Sequence, residues 1–286
     1  MLCEDGGAVP LWLAAPSLVG SMLQRGERVI PRKRPAAVLL AALCVAVALP
    51  AGAAAAASSE LSAREILDRV DDLFRGDASH GEMTMTITTA HWQRTLSVEF
   101  WSRGRDETLY RILAPKKEKG TATLRVGNDL WNYLPKVKRV IKLPSSMLSA
   151  AWMGSHFTNN DLVRDSRMAD DYTFERTFTG ERDGEPVIEI TCLPKPDAPV
   201  VWGKLVVRVR RSDYQPLATL YYDERLELAR TMTFSDVTTL GGRRLPSRMT
   251  VVPADEPAER TLVEYDAIDF DPTLEDDLFS LRSLQR

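Results

Sequence analysis

Few residues in this sequence have types and spacings that could do chemistry. His80, His91 and His156 could ligate a metal only beside a Cys, Asp, Glu or second His at ligand spacing, and none has such a neighbour on its own element. Ser155 next to His156 sets a nucleophile type beside a base type, but sequence neighbours rarely reach the geometry of a triad, and neither a GxSxG elbow nor an SxxK motif occurs. A turn accounts for that pair. Cys192 continues the alternation of Ile188 and Ile190, the position of a small buried residue on an apolar strand face. The acid pairs Asp170-Asp171 and Asp276-Asp277 suit solvated loops, and no phosphate-cradling glycine loop is present. The expectation is a binding protein and not an enzyme, with no cofactor and no metal.

The elements around these residues are mostly strands. Ser62-Ala63-Arg64-Glu65 has the capping-box spacing, and Ile66, Leu67, Val70, Leu73 and Phe74 recur at helical intervals before Gly76, which predicts an amphipathic helix. From Gly81 the period changes to two: Met83, Met85 and Ile87, then Leu96, Val98 and Phe100. Alternation returns near 107–113, 121–126, 130–134, 138–143, 172–179, 186–193, 203–210, 217–222, 226–234, 246–252 and 260–268, with turn residues such as Gly127-Asn128-Asp129 and Gly241-Gly242 between. Roughly a dozen short strands predict a mainly β, α+β fold with an N-terminal helix, the strands forming a curved antiparallel sheet or an open barrel. Ser145 to Asp170 interrupts the pattern with Met147, Leu148, Ala151, Trp152, Met153 and Phe157, the composition of a helical lid. The segment Pro272 to Phe279 reads as a short capping turn before a polar end.

Ahead of this lies an export leader. Arg32-Lys33-Arg34 precedes fourteen apolar residues, Ala36 to Leu49, and an alanine run that predicts cleavage after Ala57. The apolar run is shorter than the ~20 residues of a spanning helix. Residues 1–28 are foreign to such a leader, and translation is expected to begin near Val29. Cys44 lies within the apolar core, but Leu43 holds the position that a lipidation site keeps small. Residues 58–286 are expected to form one periplasmic domain. Removing the five Lys/Arg and three Asp/Glu of the leader from 37 and 40 leaves 32 against 37, a balance with no electrostatic call on nucleic acid. Only Cys192 survives cleavage, so no internal disulfide can form.

Aromatic and methionine side chains are abundant for a sheet with so little helix to cover it. Phe100, Tyr110, Trp131, Tyr133, Met147, Trp152, Met153 and Phe157 are the candidates for a hydrophobic cavity or its lid, able to repack around an acyl chain. Lys136, Lys138, Arg139 and Lys142 form a basic stretch with two readings: charges that keep a sheet edge soluble, or a cationic rim for anionic headgroups or an acidic partner. Lys116, Lys117 and Lys119 lie in the preceding loop.

Three runs carry a family resemblance: Leu130-Trp131-Asn132-Tyr133-Leu134-Pro135, Lys138-Arg139-Val140-Ile141-Lys142-Leu143-Pro144, and Trp152-Met153-Gly154-Ser155-His156-Phe157-Thr158-Asn159-Asn160-Asp161-Leu162. In this order they resemble the outer-membrane lipoprotein-sorting proteins, relatives of LolA-like periplasmic carriers. The resemblance implies a half-barrel closed on one side by helices, whose apolar hollow accepts acyl chains. It places Trp131 and Tyr133 on a wall strand and Met147, Trp152, Met153 and Phe157 on the lid or rim, with Asn159, Asn160 and Asp161 as a polar stop. The arginine that closes the lid in such carriers has no single match here; Arg103, Arg105 and Arg111 share its neighbourhood.

The function expected is that of a carrier, a monomer taking lipoprotein acyl chains or lipid from an inner-membrane transporter or permease to an outer-membrane acceptor. The alternative is an envelope sensor or anchoring module that binds a protein segment or a mislocalised lipoprotein in the same concave sheet.

Overall fold

The structure, a computed structural model, describes residues 60–164, 168–198 and 200–286. The leader expected over 1–57 lies outside the described residues. Helix α1 (Ala63–Asp72) starts on the predicted box: Ser62 Oγ accepts from the Glu65 amide, and Glu65 accepts from the Ser62 amide at 2.8 Å. Such a cap is worth about 1 kcal/mol. These Ser62 contacts hold the Glu65 carboxyl below its ordinary range. The helix stops a turn before Gly76, so Leu73 and Phe74 lie past its end and pack as irregular chain against the strands.

Thirteen antiparallel strands follow: β1 (Ala78–Thr88), β2 (Gln93–Arg103), β3 (Glu107–Ala114), β4 (Ala122–Val126), β5 (Asp129–Leu134), β6 (Arg139–Lys142), β7 (Tyr172–Arg182), β8 (Glu185–Pro194), β9 (Lys204–Arg210), β10 (Pro216–Tyr222), β11 (Leu228–Leu240), β12 (Arg243–Pro253) and β13 (Arg260–Phe270). They form one open sheet in the order β6-β5-β4-β3-β2-β1-β13-β12-β11-β10-β9-β8-β7. The chain runs out to one edge, crosses to the other and returns until β13 pairs with β1. The mainly β architecture expected from the alternation is the one observed.

This order constrains the crossing segment. Strands β6 and β7 follow one another in the chain yet form opposite edges. At ~4.8 Å per strand gap, a flat sheet of this size would hold its edges nearly 60 Å apart. The described residues of the crossing segment, 143–164 and 168–171, coiled into 3-10 turns at Ser145–Met147 and Trp152–Gly154 and helices α2 (Asn159–Arg164) and α3 (Met168–Asp171), therefore lie along the concave face of a curled sheet. Their contacts come in that order. Trp152 meets β4 and β3, His156 meets β13 and β11, and Met168 and Ala169 pack toward α1.

Both faces of the sheet are covered. On the concave side, α1 plugs one half by laying Ile66 and Leu67, both fully buried, on Ile188, Ile190, Cys192, Val207 and Val209. Burial of this kind gives roughly 1.5–3 kcal/mol per large apolar side chain. Gly81 on β1 leaves room for a close aromatic, since a Cβ there would lie 2.7 Å from the Phe100 ring. On the convex side of β2–β5, the tail beyond β13 packs Phe279 and Leu284 on Leu109 and Leu124, with Trp101, Trp131 and Tyr133 alongside. The tail is thus an apolar cover, more than the capping turn its sequence suggested.

Candidate functional site

Between α1, the crossing segment and the concave face lies a hollow of about 150 Å³. Its wall carries a run of aromatic rings. Phe74 stacks on Tyr265 at 5.3 Å, Tyr265 meets Phe100 edge-on at 5.9 Å, and Tyr110 lies 6.5 Å from Phe100 and 5.3 Å from Trp152. Met83, Met85, Met232, Met249, Phe234 and Phe157 complete an apolar lining. Polar groups gather toward α1, where Asp71 and Arg75 face Ser79, Ser102 and Thr108; the two serine hydroxyls share a 2.6 Å hydrogen bond.

The crossing segment is a strap with its own internal bonding. Ala151 bridges Thr158, Trp152 N–H donates to Phe157 O, and Asn159 and Asn160 donate their amides back to Ala150 and Leu148. Met153 and Gly154 turn the chain with φ of 52° and 69°. Ser155 serves that turn, donating to Trp152 O and accepting from the Phe157 amide, and so is not paired with His156. Thr158 and Asp161 cap α2 reciprocally: the Thr158 amide donates to the Asp161 carboxylate and the Asp161 amide to the Thr158 hydroxyl.

Besides the Trp152 indole bond to Thr123, three polar contacts tie the strap to the sheet. Arg230 on β11 donates to both Asp161 oxygens at 2.7 Å and to His156 O at 2.8 Å, with its guanidinium 4.2 Å from the Tyr221 ring and 4.6 Å from Trp202. Arg230 is 5% exposed and Asp161 10%. Burial works against the Arg230 charge, but the pairing with Asp161 outweighs it and holds its pKa above the usual value. Second, His156 binds β13 through Thr261 at 2.8 Å and approaches Glu259 at 3.2 Å. Third, Arg94 on β2 donates to Met153 O and pairs with Glu118 at 2.8 Å.

Of the residues predicted to form a cavity, the hollow brings together Phe100, Tyr110, Trp152 and Phe157. Trp152 is buried and donates its indole N–H to Thr123 on β4. Met153 packs behind the lining, and Met147 is exposed. Trp131 and Tyr133 are not in the hollow. The β4–β5 register pairs Trp131 with Leu124 and Tyr133 with Ala122, which sends both rings to the convex side and against the tail. The three arginines near the family's lid position also serve other contacts: Arg103 pairs with Glu107, Arg105 with Asp72, and Arg111 donates to Ser283 O in the tail.

Arg230 escaped the sequence reading, although a signal was present. It occupies the same alternating set as Met232 and Phe234, a charge in register with an apolar face. The basic stretch lies on the β5–β6 hairpin: Lys142 pairs with Asp129 at 2.7 Å, while Lys136, Lys138 and Arg139 are exposed at the turn. His80 is structural, stacked on Trp101 and bonded to Glu99. Among the described residues, no group of three or more His, Cys, Asp or Glu could hold a metal, and no helix is long and apolar enough to cross a membrane.

The fold is shared with solved structures of outer-membrane lipoprotein-sorting and LolA-superfamily proteins. A domain assigned to those sorting proteins from Vibrio parahaemolyticus is 24% identical, with a TM-score of 0.67 over 78% of this chain and 97% of its own. A DUF1329 family protein from Desulfovibrio piger is 24% identical, with a TM-score of 0.71 over 77% and 97%. A LolA superfamily protein from Nitrosomonas europaea is 22% identical, with a TM-score of 0.67 over 78% and 99%. A comparison with curated protein sequences finds no match. The chain belongs to the family whose model, described as an uncharacterized protein, matches residues 104–286.

Proposed function

We infer that this protein is an exported periplasmic carrier that binds the acyl chains of a lipoprotein or lipid under the strap and moves them from an inner-membrane transporter to an outer-membrane acceptor. The observation that carries this reading is the aromatic and methionine hollow closed by a segment that adds Trp152 and Phe157 to the lining and is tied to the sheet by a few polar groups. An engineered void of about this size in another protein takes up benzene, so an acyl chain needs the strap displaced. Breaking a buried pair such as Arg230–Asp161 costs about 3–5 kcal/mol. Each buried methylene returns about 0.8 kcal/mol, so roughly five methylenes offset that pair alone, and the His156, Arg94 and Trp152 contacts call for more. A long acyl chain opens the strap and a short one does not. No bond is made or broken, and release needs a competing apolar acceptor.

The test is uptake of a fluorescent fatty acyl probe by the purified protein. Phe157→Asp in the strap and Tyr265→Asp in the wall should abolish uptake, while Trp131→Ala on the opposite face should leave it within about twofold, as expected for a residue away from the site. Normal uptake by both charged variants would remove the hollow from the mechanism.

A further inference from the structure

We propose that the tip of the β5–β6 hairpin, together with the lysine loop beside it, is a docking surface for anionic lipid headgroups, on which the protein settles against a bilayer. The hairpin turns at Pro135–Lys138, with Lys138 at φ 50°. It holds out Val137, 58% exposed, between Leu134 at 39% and Ile141 at 45%. The lysine loop, 115–120, is its neighbour: a Cβ on Gly120 would lie 3.8 Å from the Pro135 ring. Lys116, Lys117, Lys119, Lys136, Lys138 and Arg139 are all exposed, and among the described residues none has a carboxylate partner. This cluster of cations sits on a chain whose formal net charge is −3.

Edge protection alone does not explain the arrangement. Charges keep a strand edge soluble without any help from exposed aliphatic side chains, which work against solubility. Aliphatic residues at a projecting tip surrounded by lysines match an interfacial lipid contact, where apolar groups enter the headgroup boundary and cations face anionic lipid. A protein partner fits less well, because interface cores favour aromatics and Arg and are depleted in Lys. The position is also suited to a carrier. Leu134 and Ile141 take the concave parity of the register, and the chain leaves β6 directly into the strap. Docking would therefore bring the start of the strap to the membrane. This surface is separate from the hollow, and its test uses no cargo.

The protein is expressed from its full sequence and purified in the form the cell leaves, with its mass recorded, and floated with vesicles of phosphatidylcholine with or without phosphatidylglycerol. Binding should require phosphatidylglycerol and weaken as salt is raised. Neutralising one cation should lower partitioning about fivefold, and the Lys136→Glu/Lys138→Glu pair by well over tenfold, with circular dichroism and melting unchanged. Leu226→Asp, in the exposed β10–β11 turn, should bind as the parent does. As a second measurement, Val137→Trp should shift its emission to the blue on anionic vesicles. Equal partitioning to both vesicle types, or full binding by the double charge reversal, overturns the proposal. Absence of all vesicle binding also overturns it and points to an acidic protein partner. Failed acyl uptake would count against the carrier reading and leave this docking surface standing.

Discussion

The two covers on this sheet are built differently. The tail on the convex side is held mainly by apolar packing: Phe279 and Leu284 lie on Leu109, Leu124 and the rings of Trp101 and Trp131, Arg103 lies 4.9 Å from the Phe279 ring, and Arg111 adds one polar tie to Ser283 O. The strap on the concave side satisfies much of its own backbone, leaves a hollow beneath it and is held by polar ties from Arg230, His156 and Arg94 together with the buried Trp152, which also donates to Thr123. Lifting the tail would expose Phe279, Leu284 and the rings beneath them to water together, which couples it to the fold. A cover that keeps its internal bonds, spans a hollow and is attached at a few points can leave as a unit. The strap therefore has the construction of a moving part and the tail that of a fixed one.

The largest expected effect breaks the strap side. Asp161→Ala would leave the Arg230 cation buried between Tyr221 and Trp202 without its counter-charge, a penalty of about 3–5 kcal/mol. If the strap is a separate unit, the molecule avoids much of that penalty by opening. Amides of 152–161 should then exchange at least a hundredfold faster while those of the β1–β13 ladder keep their protection. Adding Arg230→Met removes the stranded charge and should return most of the protection. Equal loss of protection in strap and ladder would mean that the two covers do not differ.

Leu284→Ala is the matching change on the tail. Leu284 is fully buried, and truncation should cost about 3 kcal/mol. With no separable unit to release, that loss should appear as lower global stability in a urea melt, with acyl uptake per folded molecule unchanged. A tail that loosened alone would erase the contrast from the other side.

The sequence made the strands legible because alternation, turn glycines and the strap's break in period are local signals. Each of the eleven segments from 107–113 to 260–268 overlaps one observed strand, and the Ser62–Glu65 box begins the helix as expected. Which face is which was not local. Trp131 and Tyr133 alternate with Asn132 as they would on a cavity wall, yet their direction depends on pairing with β4, and their burial on a tail more than 130 residues later. Met147 looked like part of a lid from composition, and its exposure is decided by where the strap leaves the β6 edge. Arg230 and Asp161 are 69 residues apart, so no window on the sequence contains the pair. The unread part of the site is the part that depends on contacts across the fold.

The smallest effect is a pH dependence confined to the strap. The Ala90 amide, and then His156, hold the Glu259 carboxyl below its ordinary range, whereas the Glu259 charge holds that of Glu256 above its own. The two signs oppose each other. Only the bond to His156 reaches the strap; the Ala90 amide lies in the β1–β2 turn and Glu256 in the β12–β13 turn. The His156 share of the lowering favours the closed strap while Glu259 is charged, and it is lost as pH falls through the lowered folded-state pKa of Glu259. Strap protection factors at 156–161 should therefore fall once Glu259 is neutralised, with the β1–β13 ladder far less affected. Glu259→Gln should flatten that response. A parallel pH response in the tail would tie the two covers to one global transition and remove the case for a strap that opens alone.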